Sequence, residues 1–386
     1  MPTVAKRSNK LRAICLLWLV VWCTGCASQQ HHIALMEGAE ARLPPGVDQV
    51  DMLVMSTRER SSVPGVIYTG ERARNRSLYN LVVSIPPDKS RKIGEVQWPK
   101  GPKPDARTDF VATKANDMNA ADVDKWFLNV AGKKRKLFVF VHGFNNTFVS
   151  AAYRLAQITH DSGTEAAPVL FTWPSRGRVL DYVYDKESAT YSRDALEYLL
   201  TRAATDPNVS DITVMAHSMG NWTMVEALRQ MSIRQGRIFP KIKNVIMAAP
   251  DLDVEVFRSE LLQMSEPRPR ITIFLSRDDK ALALSRWLGG NIDRVGSLDP
   301  DKEPYRSKLK EFNIVVINLT KLKVGDTTNH TKFAESPEIV RLIGNRLIEG
   351  QEIAGSDLKL GERVSGASVG AAARLGRSAR ATFNGT

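Results

Sequence analysis

From Leu137 onward, short apolar runs alternate with longer stretches of helical spacing. The runs at 137–142 (LFVFVH), 168–172 (PVLFT), 211–216 (DITVMA), 243–248 (KNVIMA), 271–275 (ITIFL) and 312–319 (FNIVVINL) are rich in β-branched or aromatic residues. That is the composition of strands buried on both faces. Between them, 148–159, 186–204, 219–233 and 280–288 repeat apolar residues three and four apart, which predicts helices. The alternation predicts βα units around a mostly parallel sheet with helices on both faces. A last helix is predicted from Ser336, which can cap, through Pro337 in the first turn, to a closing Gly350. Upstream, 50–55 and 78–85 predict the first strands. The Pro- and Lys-rich stretch 98–114 reads as a surface excursion, and no repeat of solenoid period is present.

The two ends depart from this pattern. A basic segment through Arg12, an apolar stretch from Ala13 to Trp22, and Thr24-Gly25 before Cys26 predict a targeting sequence over 1–25. The apolar stretch is about half the length needed to span a bilayer. Cys23-Thr24-Gly25-Cys26 resembles a bacterial lipobox, with Cys23 where that pattern usually has Leu. Cys26 is then the expected lipidation site, and simple secretion or an uncleaved anchor are the alternatives. Ala27 after the cysteine, rather than Asp, implies by the same resemblance the outer membrane, facing the periplasm. Residues 26–48 read as a tether, 49–350 as the folded domain, and 351–386, poor in large apolar residues, as a disordered basic tail. Cys15, Cys23 and Cys26 are the three cysteines, so no disulfide can brace the domain.

Charge narrows the partners. The net charge is +12, of which Lys6, Arg7, Lys10 and Arg12 supply four in the leader. A surplus of this kind favours anionic partners. No nucleic-acid-binding motif accompanies it, so an anionic membrane surface is favoured over nucleic acid, and the bland alternative is a solvated basic surface with no such partner.

The candidate chemistry lies in Ala216-His217-Ser218-Met219-Gly220, at the junction of a predicted strand and a predicted helix. This run matches the nucleophile elbow Gly-x-Ser-x-Gly, with Ala in the first small position. A tight strand-to-helix turn has to lift the serine clear of the sheet, and small flanks let neighbouring backbone pass. The elbow predicts an α/β-hydrolase fold and a serine hydrolase; the bland alternative is a serine capping a helix. A serine hydroxyl needs a base, and the base a carboxylate to orient it. In this fold the chain order is Ser, acid, His. Of six histidines, His31, His32, His142, His160 and His217 fail that order, which leaves His330. For the acid, Asp279 at the end of the 271–275 run is preferred, Asp278 is the alternative, and Asp251 and Asp253 remain candidates. The oxyanion donors are expected to be the backbone N–H groups of Met219 and Phe144, with Gly143 permitting the close turn. Trp173, Tyr182 and Tyr184 are candidates either to line an acyl pocket or simply to pack.

Phe140-Val141-His142-Gly143-Phe144-Asn145, Phe171-Thr172-Trp173-Pro174-Ser175, Ala216 to Asn221 and Ala248-Ala249-Pro250-Asp251 together resemble a bacterial α/β-hydrolase family of unknown function, over roughly residues 50–350. The family is described as esterases or lipases, and the resemblance implies that reaction class, with Asp279 and His330 where its acid and base fall. The expectation is a serine carboxylic-ester hydrolase acting on a small acyl ester or a lipid, tethered to the membrane. An acyltransferase, thioesterase or amidase using the same residues is the alternative within enzymes; a non-catalytic membrane-tethered binding lipoprotein is the alternative outside them. No cofactor is expected, and no HExxH or paired-cysteine spacing suggests a metal.

Overall fold

The computed structural model describes residues 32–33, 43–101 and 103–348. Its centre is a single sheet in the order β3-β2-β1-β5-β4-β6-β7-β8-β9. These strands are β1 (Asp48–Arg60), β2 (Tyr68–Ile85), β3 (Val111–Asp117), β4 (Lys136–Val141), β5 (Ala167–Thr172), β6 (Asp211–His217), β7 (Ile242–Ala248), β8 (Arg270–Leu275) and β9 (Val315–Asn318). β1 to β3 form an antiparallel edge, and from β1 across to β9 the pairings are parallel.

Period-two alternation explains the two cores. On β4, Leu137, Val139 and Val141 face one side while Phe138 and Phe140 face the other. The first side is covered by α1 (Ala120–Trp126), α4 (Arg193–Thr205), α5 (Gly220–Gln235) and α6 (Val254–Leu262), through Trp126, Leu200, Met224 and Leu261. The second packs against α2 (Phe148–Asp161) and α10 (Pro337–Leu342), through Phe148, Tyr153 and Ile339. Each such side chain contributes about 1.5–3 kcal/mol by leaving water. Both faces of the parallel strands are therefore apolar, as their unbroken hydrophobic runs require. The other α-helices longer than three residues among the described residues are α3 (Tyr182–Tyr191), α7 (Lys280–Leu288), α8 (Tyr305–Glu311) and α9 (Lys332–Glu335).

Four expectations change. Residues 98–114 are not a plain surface excursion: Phe110 is buried, Trp98 and Phe110 pack on Tyr153 at 5.3 and 5.9 Å between rings, and Val111 opens β3. An edge strand tolerates the exposed Lys114 that made the stretch look like a loop. The helix over 186–204 is two helices that meet at Ser192, where the serine hydroxyl donates to the Ser188 carbonyl (2.8 Å) and also meets Thr57 Oγ1 (2.8 Å). Such local side-chain bonding competes with helix continuation. The strand expected over 312–319 is only Val315–Asn318, because Phe312 ends α8 and Asn313 takes a φ of +52°. Ser336 caps the last helix as expected, but its α-helical part ends at Leu342 and is followed by a π-helical turn, Ile343–Ile348; Gly350 lies outside the described residues.

The leader, Cys26, most of the tether and the tail also lie outside the described residues. Among the described residues, no helix is long and apolar enough to cross a membrane. The loops at the carboxyl ends of β4, β6, β7, β8 and β9 converge, and the candidate residues lie on them.

Candidate active site

Ser218 follows β6 directly, in a left-handed backbone conformation with φ of +52°. Non-glycine residues rarely adopt that region, and holding one there costs of order 1–3 kcal/mol. The surroundings over-determine it. Ser218 N–H donates to Ala248 O (2.9 Å), while its carbonyl accepts from Asn221 N–H (3.1 Å), Asp251 N–H (3.2 Å) and the Asn221 side-chain amide (2.9 Å). Glycine is required on both sides of the turn: a Cβ on Gly220 would lie 2.3 Å from His142 O, and one on Gly143 would lie 2.7 Å from the Ser218 Cβ. The tight packing that makes the elbow also leaves Ser218 only 4% exposed.

His330 stands beside this turn, its ring 4.7 Å from that of His217. His330 Nδ1 lies 2.6 Å from Asp279 Oδ2, and the Asp279 side chain is fully buried. The other oxygen, Oδ1, accepts from Leu282 N–H (2.9 Å) and so caps α7. One carboxylate thus orients the imidazole and is itself held by a helix start. Asp326 shapes the histidine loop, accepting from the N–H groups of Thr328 (2.8 Å), His330 (2.7 Å) and Thr331 (2.9 Å). Burial works to raise its pKa, but the Thr328 hydroxyl (2.6 Å) together with these N–H donors outweighs it and brings the carboxyl down to about 2. For His330, burial opposes the charged form, yet the bond to Asp279 and the charges of Asp279, Asp251 and Asp326 leave its pKa raised. His217 moves the other way, held well below the usual value by burial first and then by the neighbouring His330 and Arg154 charges. The two rings are therefore driven apart in basicity, with His330 the one that takes the proton.

The other carboxylates are committed elsewhere. Asp278 accepts from the buried Lys332 ammonium (2.8 and 3.0 Å) and from Ser276 Oγ (2.5 Å). Asp253 caps α6 through Glu255 and Val256 N–H. Asp251 accepts from Ser285 Oγ (2.5 Å) and the Tyr182 hydroxyl (3.0 Å), with Arg294 Nε 3.4 Å away.

The loop carrying Phe144 is braced by a residue that reads as an ordinary strand-end cation. Arg58, on β1, is fully buried; its guanidinium donates to Thr172 Oγ1 (2.8 Å), Ser175 O (2.7 Å), Thr69 O (3.2 Å) and Asn146 O (2.8 Å). Burial lowers its pKa to about 9, against the nearby Asp185 and Tyr184 charges. His142 completes the brace. Its Nε2 accepts from Trp173 N–H (3.1 Å) and faces an Arg58 nitrogen at 3.3 Å, which assigns the ring proton to Nδ1, 2.9 Å from Gly143 O. Asp185 accepts from Ser175 Oγ (2.5 Å) and Asn145 N–H (3.3 Å), and Ser175 Oγ accepts from Asn146 N–H (3.0 Å). The N–H groups of Phe144 and Met219 make no backbone hydrogen bond among the described residues. Two free donors beside a strained serine are what a developing oxyanion requires.

Of the three aromatic candidates, Trp173 and Tyr184 pack. Trp173 is fully buried and stacked on His142, and Tyr184 sits under the Arg72 and Arg176 guanidinium groups. Tyr182 alone touches the site, edge-on to Phe144 at 5.2 Å. A cavity of about 670 Å³ lies between α6, β8 and α8, lined by Phe257, Leu261, Ile273, Leu309 and Phe312, and Ser218, Asp279 and His330 are not part of it. The crevice against His330, bounded by Ala249, Asn329 and Phe333, holds only about 10 Å³. We place the candidate chemistry beside the crevice, since His330, which contacts the buried Asp279 and stands next to the Ser218 turn, lines it, and none of the three residues lines the larger space.

A family model described as "Alpha/beta hydrolase of unknown function (DUF900)" matches residues 119–346. The chain belongs to that family. It is thus an α/β hydrolase, and β4 to α10, with every residue discussed at the site except Arg58, Thr69 and Arg72, lie within the matched part. The uncharacterized protein alr1448 of Nostoc sp. is 33% identical over 87 residues, covering 22% of this chain; the match spans 23% of that protein's length. A lipase-esterase related protein from Clostridium acetobutylicum is similar over 56% of this chain and 96% of its own, at 11% identity and a TM-score of 0.30. Carboxyl esterase 2 from the fungus Tuber melanosporum is similar over 84% of this chain and 92% of its own, at 9% identity and a TM-score of 0.35.

Proposed function

We propose that this hydrolase cleaves carboxylic esters through Ser218, His330 and Asp279. The observation that carries the reading is the 2.6 Å contact between His330 Nδ1 and the buried Asp279, set beside a serine held at positive φ. Asp279 keeps the imidazole proton on Nδ1, so the far nitrogen is free to act as base. That nitrogen takes the Ser218 proton as Oγ attacks the acyl carbonyl. The N–H groups of Phe144 and Met219 receive the oxyanion, and the tetrahedral adduct collapses as the imidazolium returns the proton to the departing alkoxide. Water then repeats the sequence on the acyl-enzyme, with Ser218 leaving.

The substrate is a small acyl ester or the ester of a lipid. On the same reading Cys26 carries the lipid anchor and the domain works at the bacterial envelope, facing the periplasm; labelling of cells with a radioactive fatty acid, lost in Cys26→Ser, tests that address. The catalytic reading is tested by a panel of esters of graded acyl length, thioesters and anilides, with and without an added alcohol as acyl acceptor. Ester hydrolysis that disappears in Ser218→Ala is expected. Turnover confined to thioesters, to anilides, or to transfer onto the alcohol would replace the ester assignment.

A further inference from the structure

After β7 the chain turns back on the nucleophile. Ala249 takes a φ of +43°, a region that strains any residue with a Cβ and persists only where the surroundings enforce it. Ala249 N–H donates to Phe274 O (2.8 Å), and the chain at Gly296 is pressed so close that a Cβ there would lie 2.7 Å from Pro250 N. This turn delivers Asp251, whose N–H donates to Ser218 O (3.2 Å), so the two strained turns are bonded to one another. The Asp251 carboxylate is only 4% exposed. Its Oδ1 accepts from Ser285 Oγ (2.5 Å) on α7, the helix that Asp279 caps. Its Oδ2 accepts from the Tyr182 hydroxyl (3.0 Å) on α3, and the ring of that tyrosine stands edge-on to Phe144. The Tyr182 hydroxyl and Ser285 Oγ are themselves 2.8 Å apart, which closes a triangle. Arg294, also buried, supplies the counter-charge, with Nε 3.4 Å from Oδ1 and a second nitrogen donating to Ser285 O (3.1 Å). A buried ion pair is a weak source of stability. This one joins three elements, and each carries a part of the candidate site: the Ser218 turn, the helix behind Phe144 and the helix that begins at Asp279.

We propose that Asp251 is the positioning residue that keeps nucleophile, oxyanion loop and acid in register: its backbone fixes the Ser218 turn, and its carboxylate clamps α3 to α7. The inference rests on the serine-ester reading, and Asp279 remains the acid. Both Asp251 oxygens are taken by hydroxyl donors, whereas Asp279 keeps Oδ2 for His330 Nδ1 at 2.6 Å. Asp251 bears on the base through its charge instead. The groups that act on the His330 imidazole are Asp279, Asp251, Asp326 in its own loop, and His217 on β6, which burial keeps neutral. Arg154 on α2 bears on His217, Lys332 on α9 is paired with Asp278, and Arg294 stands behind Asp251. The three carboxylates favour the imidazolium, the state formed as Ser218 gives up its proton. Removing the charge of one of them should therefore lower the pH at which the ring titrates.

The test uses the full chain carrying Tyr182→Phe, Asp251→Asn or both, with p-nitrophenyl acetate as substrate. Tyr182→Phe keeps the ring against Phe144 and removes only the hydroxyl tie. Its kcat should fall about tenfold with KM within about twofold, as a small displacement of the oxyanion loop would cause. Asp251→Asn should lose at least as much. The double variant should lose little more than Asp251→Asn alone, since both cut the same tie. The midpoint of kcat/KM against pH should drop by a few tenths of a unit or more in Asp251→Asn and should not drop in Tyr182→Phe, which keeps the charge. The His330 ring signals in a nuclear magnetic resonance titration, assigned by their loss in His330→Gln, should show the same pattern. A packing role alone would lower the melting temperature and leave both midpoints in place. A midpoint unmoved in folded Asp251→Asn, or a kcat within twofold of wild type in Tyr182→Phe, overturns the proposal. If Asp251→Asn fails to fold for want of a charge beside Arg294, Tyr182→Phe decides alone by the same kcat criterion. A wild-type chain that cleaves no ester removes the serine-ester reading; the ring titration then decides, a lowered midpoint in Asp251→Asn upholding the placement of Asp251 against His330 and an unmoved one overturning it.

Discussion

Replacing Asp279 and Asp278 by asparagine, one at a time, separates two adjacent carboxylates that the structure treats differently. In Asp279→Asn the side-chain oxygen can still accept from Leu282 N–H, so the cap of α7 survives. The amide nitrogen then faces His330 Nδ1, where the carboxylate oxygen stood at 2.6 Å. An amide N–H donates, so it forces the ring proton onto the other nitrogen, the one that must accept from Ser218. A base locked in the wrong tautomer costs about 10⁴ in kcat, or roughly 5.4 kcal/mol of transition-state stabilisation at 1.36 kcal/mol per decade. Asp278→Asn disturbs no catalytic contact. It leaves the buried Lys332 ammonium with Ser276 Oγ and the Leu319 and Thr320 carbonyls but without its counter-charge. Because the Asp278 carboxylate is 41% exposed, solvent screens the pair, and the loss is about 1 kcal/mol rather than that of a fully buried bridge. The paired assay is kcat for p-nitrophenyl acetate together with a thermal melt. Asp279→Asn should lose about 10⁴ in rate with little change in melting, and Asp278→Asn should melt about 2–4 °C lower with kcat within a few-fold. Near-wild-type rates for Asp279→Asn, or an equal collapse in both variants, would refute the assignment.

Two further expectations concern the base and the oxyanion loop. On the proposed mechanism the neutral imidazole of His330 is the active form, and because its pKa is raised, kcat/KM should climb with pH and level off only above the ordinary histidine value of about 6.5. A midpoint at or below that value in a pH–rate profile contradicts the raised pKa. Arg58→Lys keeps the charge but loses the planar fork that reaches Thr172, Ser175 and Asn146 together. If the fork positions Phe144 N–H, kcat should fall by up to about 10² with KM for a small ester nearly constant; an unchanged kcat in a folded Arg58→Lys protein would make Arg58 a packing residue only.

The parallel strands were legible because burial on both faces writes itself as unbroken apolar runs such as Leu137 to Val141. β3 was hidden because an edge strand needs only one apolar face and tolerates Lys114. The break at Ser192 was hidden because a hydroxyl that turns back on Ser188 looks like any helix-surface serine. At the site, the local signal in Ala216 to Gly220 marked the elbow, since the flanking small residues are a steric demand of the turn itself. The acid could only be narrowed to neighbours, because adjacent aspartates differ in direction rather than in sequence context; Lys332, which occupies Asp278, lies 54 residues away. Arg58 had no signal of its own. It sits in Ser56-Thr57-Arg58-Glu59-Arg60, a polar strand end that reads as solvated, and only the crossing of β1 beneath the loops after β4 and β5 puts it in the interior. His142 failed the chain-order test for the base, and its bonds to Trp173 and Gly143 give it a bracing part instead.

Whether Ser218 is an activated nucleophile is read directly by a fluorophosphonate, which phosphonylates such a serine far faster than an ordinary hydroxyl. Intact-mass and peptide analysis of the labelled full chain should show one adduct, on the peptide containing Ser218, absent in Ser218→Ala and formed far more slowly in Asp279→Asn. A folded protein that stays unlabelled, or carries the adduct on another residue, would contradict the account.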